Sequence, residues 1–212
     1  MRASVCLLVL AMACGDDDGG SDAGFDAGLD AGSDTGAEAD AGVDVGGDVS
    51  AGAFELTTPA FADGAPVPLV HRCGPPLIPD ETGMNVSPEL AWTAGPPATM
   101  SYAVVVRDES AGGLVHWVIY DIPASLRGLP EQVPAAYMPL AVDGARQAEI
   151  QESEYFGYFG PCSGGRGNTY VWTLHALPVA TLADATRDTT EDAIASMVEA
   201  MSIASAAFSG TY

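Results

Sequence analysis

Few side chains of this chain could do chemistry together, and the most suggestive are Asp108 and His116. They flank the turn-like segment Glu109-Ser110-Ala111-Gly112-Gly113. A carboxylate beside an imidazole favours the protonated ring near neutrality. Such a ring, with backbone N–H groups of the Gly-rich stretch from Gly160 to Gly167, could hold a phosphate-like anion. Arg166 is the fixed cation inside that stretch. The same pair could serve as a general base with its orienting carboxylate. No Gly-x-Ser-x-Gly elbow, HExxH or Walker loop accompanies it, so the residues favour binding over catalysis. The plain structural alternative is a buried strand histidine that hydrogen-bonds Asp108 and holds nothing. A competing use is metal: His71-x-Cys73, with Cys162 and His116 or His175, has the makings of a tetrahedral zinc site. An exported protein oxidises paired thiols, which argues against it. No metal or cofactor is therefore expected.

The elements that must position these groups are mainly strands. Ser101–Val106, Leu114–Tyr120 and Thr169–Leu177 are branched and aromatic runs, bounded by turn residues, by Gly and by Pro178. Their near-continuous apolarity predicts strands covered on both faces. His175, between Leu174 and Ala176, is expected to pack. Tyr155-Phe156-Gly157-Tyr158-Phe159 is expected to serve as core or lid. After Pro178, Asp188, Thr189 or Thr190 can cap a helix over about Glu191 to Ala207, with Ile194, Met197, Val198, Met201 and Ala204 on one stripe.

The chain has 212 residues, with 29 acids against 7 Arg and no Lys, a net charge of -22. That balance excludes nucleic acid, since a phosphate backbone needs a concentrated basic face. The charge is unevenly spread. Residues 1–13 are read as a signal peptide, in which Arg2 precedes an apolar run too short to span a bilayer. Its end, Leu10-Ala11-Met12-Ala13-Cys14, resembles the bacterial lipobox, with Ala11 where that motif prefers Leu. The resemblance implies lipidation at Cys14; plain secretion is the alternative. Residues 14–53 are read as the lipidated Cys and a disordered linker of repeating Asp, Ala and Gly. Its eleven acids and absence of base set no packed face, and its reach is roughly 35 Å. Residues 54–212 form the globular domain, with eighteen acids against six Arg.

Several blocks of this domain carry a resemblance. Asn85-Val86-Ser87-Pro88-Glu89-Leu90-Ala91-Trp92, Val115-His116-Trp117-Val118-Ile119-Tyr120-Asp121-Ile122-Pro123, Gly160-Pro161-Cys162, Tyr170 to Leu177 and Gly210-Thr211-Tyr212 resemble, in the same order, the phosphatidylethanolamine-binding protein family. Its bacterial branch is described as Raf-kinase-inhibitor-like. The resemblance implies a mainly β fold, in which a large antiparallel sheet packs on a smaller one with peripheral helices including a C-terminal one. It also implies a small anion pocket lined by an Asp-Pro-Asp turn and two His. Asp108 and His116 match; Glu109 and Ser110 replace Pro and Asp, Asn168 replaces the second His, and Thr169 replaces the usual Arg. Ligand-binding positions are thus expected at Asp108, His116, Asn168, Tyr170, Gly160, Pro161, Pro88 and Trp92. With Cys6 lost in the signal and Cys14 lipidated, Cys73 and Cys162 remain, and bacterial relatives hold Cys close together at similar positions; a Cys73–Cys162 disulfide is expected.

The leading expectation is a lipid-anchored protein of a bacterial cell envelope, periplasmic or surface-exposed, binding a small anionic or phosphorylated ligand. The second is a protein-interaction or inhibitor module with a degenerate pocket and an extracytoplasmic protein partner, since relatives inhibit kinases or proteases through the surface around the same opening. An enzyme using His116 and Asp108 is the third and least favoured.

Overall fold

A computed structural model describes residues 53–212 apart from 76, 80 and 152. The signal peptide, Cys14 and almost all of the linker lie outside the described residues. Among the described residues, no helix is long and apolar enough to cross a membrane.

The frame is a five-stranded antiparallel sheet. It is built from β3 (Ser101–Asp108), β4 (Leu114–Pro123), β6 (Arg146–Gln147), β7 (Thr169–Leu177) and β8 (Ala204–Thr211), in the order β6-β4-β3-β7-β8. A smaller sheet of β1 (Leu56–Thr57), β2 (Leu90–Trp92) and β5 (Gly128–Leu129) runs in the order β1-β2-β5. The two-sheet architecture expected from the sequence is present. So is the coverage of the central strands on both faces. Tyr102, Val104, Val106, Trp117, Ile119, Tyr170, Trp172 and Leu174 pack between the sheets with Leu56, Leu90 and Trp92. On the opposite face Ala103, Val105, Val115, Val118 and Tyr120 pack against Ile194, Ala195 and Val198 of helix α1 (Glu191–Met201). Burial of such side chains contributes about 1.5 to 3 kcal/mol each, so both faces help hold the sheet.

Two irregularities in β4 matter for the site. Against β3, Val106 pairs with Trp117 while Arg107 pairs with Val115, which leaves His116 as an extra residue. At the other end Tyr102 pairs with Ile122 and Val104 with Ile119, so Ala103 alone faces Tyr120 and Asp121. These are β-bulges, which re-aim a side chain out of the regular pleat. Asp121 sits at φ 58°. Its carboxylate accepts Leu182 N–H at 2.9 Å and forms an ion pair with Arg146 at 2.5 Å. Arg146 also donates to the carbonyls of Leu182 and Ala185 and covers the Tyr120 ring.

The helix expected over Glu191 to Ala207 ends sooner. Thr190 caps its start, its hydroxyl accepting Ala193 N–H at 3.3 Å. After Met201 the chain turns at Ser202, and Ala204–Thr211 joins β7 as an edge strand. Alanine favours helix by itself, and the ladder to β7 with burial of Phe208 overrides that preference. Ala204 is therefore a strand residue, not part of the helical stripe, and Met201 is exposed.

Candidate functional site

One end of the large sheet gathers the polar groups, because β3 finishes there while β4 and β7 begin there. Asp108 closes β3 opposite both Tyr170 and Leu114. Its Oδ1 accepts the N–H groups of Ser110 and Ala111 at 2.9 and 3.1 Å, capping the short 3-10 turn Glu109–Ala111. Its Oδ2 accepts the Asn168 amide at 2.8 Å. The Ser110 hydroxyl accepts Thr169 N–H at 3.0 Å. Ser110, Asn168 and Thr169, where the resemblance implies other residues, are thus bonded into a seam that joins the turn after β3 to the start of β7.

His116 is buried, and its Nδ1 bonds to the Phe159 carbonyl at 3.0 Å rather than to Asp108. The carbonyl can only accept, so Nδ1 carries the proton. Phe159 stacks on the ring at 5.0 Å, and Tyr170 meets it edge-on at 5.1 Å. Burial pulls the His116 pKa below its ordinary value, against the opposing effects of the Phe159 carbonyl, the Asp108 charge and the Gly160 backbone. The expectation of a protonated imidazole is corrected: desolvation outweighs the carboxylate, and the resting ring is neutral. Tyr170 is buried and its hydroxyl accepts Cys162 N–H at 3.0 Å. Its pKa is pushed up to about 12, by burial first and then by Asp108. The phenol therefore keeps its proton at any physiological pH and can give it to an incoming oxygen.

The Gly-rich stretch behaves differently from the expected phosphate cradle at its first half. Gly160 N–H is taken by the Asn85 side chain at 2.7 Å. A Cβ on Gly160 would lie 2.5 to 2.7 Å from backbone atoms of residues 71–73, so this glycine serves close packing. Pro161 accepts Cys73 N–H, and Ser163 donates its hydroxyl to the Tyr212 carbonyl. Beyond it, Gly164, Gly165 and Gly167 adopt positive φ, and Arg166 is exposed among them. Cys73 and Cys162 form the expected disulfide, with Cα atoms 5.2 Å apart. It pins this loop to the segment before Asn85.

Asp108, His116, Asn168, Tyr170, Gly160 and Pro161 therefore share one neighbourhood. Trp92 does not belong to it. Its ring packs edge-on against Tyr102, at the far end of β3 and about 20 Å along that strand from Asp108. Trp92 fills the core between the sheets because it alternates with Leu90 on a strand whose inner face is buried. Pro88 is buried beside Ser87, whose hydroxyl and carbonyl hold the backbone of Val133 and Gln132. His71 and His175 are bonded to Val86 and Ser202 respectively. Sequence reasoning missed Asn85, which sits at φ 55° and reaches Gly160, Tyr155 and Tyr158. Its tolerance of the left-handed region was the available clue.

The family model described as phosphatidylethanolamine-binding protein matches residues 57–212. Among relatives, "Putative lipoprotein LppC" of Mycobacterium tuberculosis is 38% identical over 136 residues, covering 62% of this chain and 59% of its own length. A UPF0098 protein of Aquifex aeolicus is 34% identical over 139 residues, covering 63% of this chain and 74% of its own. The chain thus spans about three fifths of the LppC length. Among solved structures, Escherichia coli YbcL, described as a new member of the mammalian PEBP family, has a TM-score of 0.64 at 25% identity. It covers 75% of this chain and 97% of its own. With the family model spanning nearly the whole described domain and the two-sheet fold in agreement, the chain belongs to the phosphatidylethanolamine-binding protein family.

Proposed function

We propose that this domain binds a small anionic ligand, of which a phosphate-bearing group is the leading candidate, on an exported protein anchored by lipid at Cys14. The observation that carries the reading is the contact of Tyr170 and His116 at the end of the sheet where β3 finishes and β4 and β7 begin, 5.1 Å between ring centres. Tyr170 offers an O–H held in place by Cys162. His116 offers its second ring nitrogen, Nε2, since Nδ1 is the atom bonded to the Phe159 carbonyl. An anion arriving there restores the charge that burial removes from the ring, so binding takes up a proton. This suits an acidic domain, because the site carries no positive charge until its ligand is present. Similarity to LppC supports the envelope location, and the linker would hold the domain clear of the lipid.

The test is thermal unfolding with inorganic phosphate and with phosphoethanolamine, on the wild type, Tyr170→Phe and His116→Asn. At a hundred times the dissociation constant a ligand stabilises by about 2.7 kcal/mol. In a domain of this size that is a rise of about 5 to 10 °C. Absence of a rise for either probe, or an equal rise in both variants, overturns the reading.

A second reading, a protein-interaction module with a degenerate pocket, is favoured by one specific observation. Asp108 is satisfied by three donors of its own chain. A thermal response absent for every anion, with specific capture of an extracytoplasmic protein, selects it.

A further inference from the structure

The edge of the large sheet farthest from β6 is half covered and half open. Beside the last turn of β8, Gly64 N–H donates to Ser209 O, Thr211 N–H donates to Ala65 O, and Val67 N–H donates to Thr211 O. Asp63 accepts both the N–H and the hydroxyl of Ser209 at 2.8 Å. These contacts show that the odd-numbered residues of β8 turn their backbone groups away from β7. By the two-residue period of a strand, Ser205 and Ala207 do the same. Both are exposed, β8 is the last strand of its sheet, and on the side away from β7 no strand among the described residues pairs with them. This stretch has no proline and no charge of its own, the devices that normally blunt an edge.

Next to the open stretch, at the seam between β8 and β1, lies a cavity of about 230 Å³. Leu56, Phe61 and Phe208 give it apolar and aromatic walls, and Asp63 stands among its lining residues. The two Ser209 donors hold the Asp63 carboxylate through Oδ1 and lower its pKa, so it is charged at neutral pH. Apolar walls with a fixed carboxylate match the divided character of an Arg or Lys side chain, whose stem is apolar and whose head is cationic.

We propose that β8 is a strand-addition site for an extended basic peptide segment of a partner protein. The peptide backbone pairs with Ser205 and Ala207, and one Arg or Lys enters the cavity against Asp63. Charge decides between occupants. The domain has eighteen acids against six Arg, so a second copy brings like charge to the edge, and the linker, with eleven acids and no base, brings more. A basic segment is attracted by the same field. The site uses none of the groups of the Asp108–His116 cluster, so it stands whether or not that cluster binds an anion.

The probe is a capped octapeptide alternating Val and Arg, compared with its Val and Glu counterpart and with a copy N-methylated on alternate amides. Fluorescence anisotropy reads binding, and amide hydrogen exchange reads the site. The expected result is saturable binding of the Arg peptide that slows exchange at Ser205 and Ala207. Binding falls at least tenfold for the Glu peptide, for the N-methylated copy in the blocking register, and for Asp63→Asn. Far-ultraviolet circular dichroism checks that this variant remains folded, and Asp63→Glu should restore part of the affinity. Unchanged exchange at Ser205 and Ala207 under saturating Arg peptide overturns the proposal, as does equal affinity for the two charges. Peptide-free, concentration-dependent protection of the same amides overturns it in favour of a second copy.

Discussion

Opening the Cys73–Cys162 bond should destabilise the domain by about 4.6 kcal/mol without loosening its native contacts. The bond joins residues 89 apart in sequence. The chain-entropy relation gives about 15 cal/mol/K for a loop of that length, or about 4.6 kcal/mol at 25 °C. Each kcal/mol shifts Tm by about 2 to 4 °C in a domain of this size, so the drop is about 9 to 18 °C. The native side should change little on reduction. Both sulfurs remain to fill their space, Cys73 N–H still meets Pro161 O at 3.0 Å, and Gly160 still packs against residues 71–73. The cost therefore falls on the unfolded chain, which gains freedom. Urea unfolding with and without a phosphine reductant, with thiol alkylation to establish complete reduction, measures it. Reduction should slow folding, raise the denaturant slope and leave the unfolding rate nearly unchanged. A fully reduced protein whose Tm falls by less than about 3 °C would refute the reasoning. So would a loss carried wholly by faster unfolding, which would place the stabilisation in native contacts.

Acid should weaken the fold through two histidines. Burial lowers the pKa of His116 and of His175 below 6.5 in the folded state, so the unfolded chain binds protons first as pH falls. Stability is full above the unfolded value and declines below about 6.5, by at most about 1.4 kcal/mol per pH unit for each ring. Urea midpoints from pH 7.5 to 5 should show this slope and should flatten in His116→Asn; a pH-independent midpoint contradicts it. Asp121→Asn should cost about 3 to 5 kcal/mol by stranding Arg146, whose partners lie in β4 and in the loop between β7 and α1. A loss below about 1 kcal/mol in chemical denaturation would show that the carbonyls of Leu182 and Ala185 suffice for Arg146.

The central strands were legible because Ser101–Val106, Leu114–Tyr120 and Thr169–Leu177 combine branched and aromatic residues with turn residues at their ends. Each is extended by at most three residues in the structure. The smaller sheet was implied only by the family resemblance, since strands of two or three residues carry no period of their own. β8 was hidden by its composition, as Ala204-Ser205-Ala206-Ala207 continues a helical spacing as readily as it joins a ladder. The grouping of the site residues was legible; their state was not. Asp108, His116, Asn168 and Tyr170 do gather, but a sequence shows which charges are near a histidine and not how much water it has lost. That is why His116 was expected to be charged. Trp92 lies elsewhere for a related reason: a residue within a shared motif can serve the core between the sheets instead of the polar end of one sheet.

The two bulges of β4 divide the labour within one strand. Leave out His116 and Asp121, and the remaining residues Val115, Trp117, Val118, Ile119, Tyr120 and Ile122 alternate without fault between the two cores. The sheet is written in one set of positions and the polar chemistry in another, interleaved as spare letters that the ladder does not read. Substitution at such a letter changes what the domain can hold while leaving the hydrophobic alternation intact. The two polar positions of β4 can therefore vary under a fold whose apolar alternation stays the same.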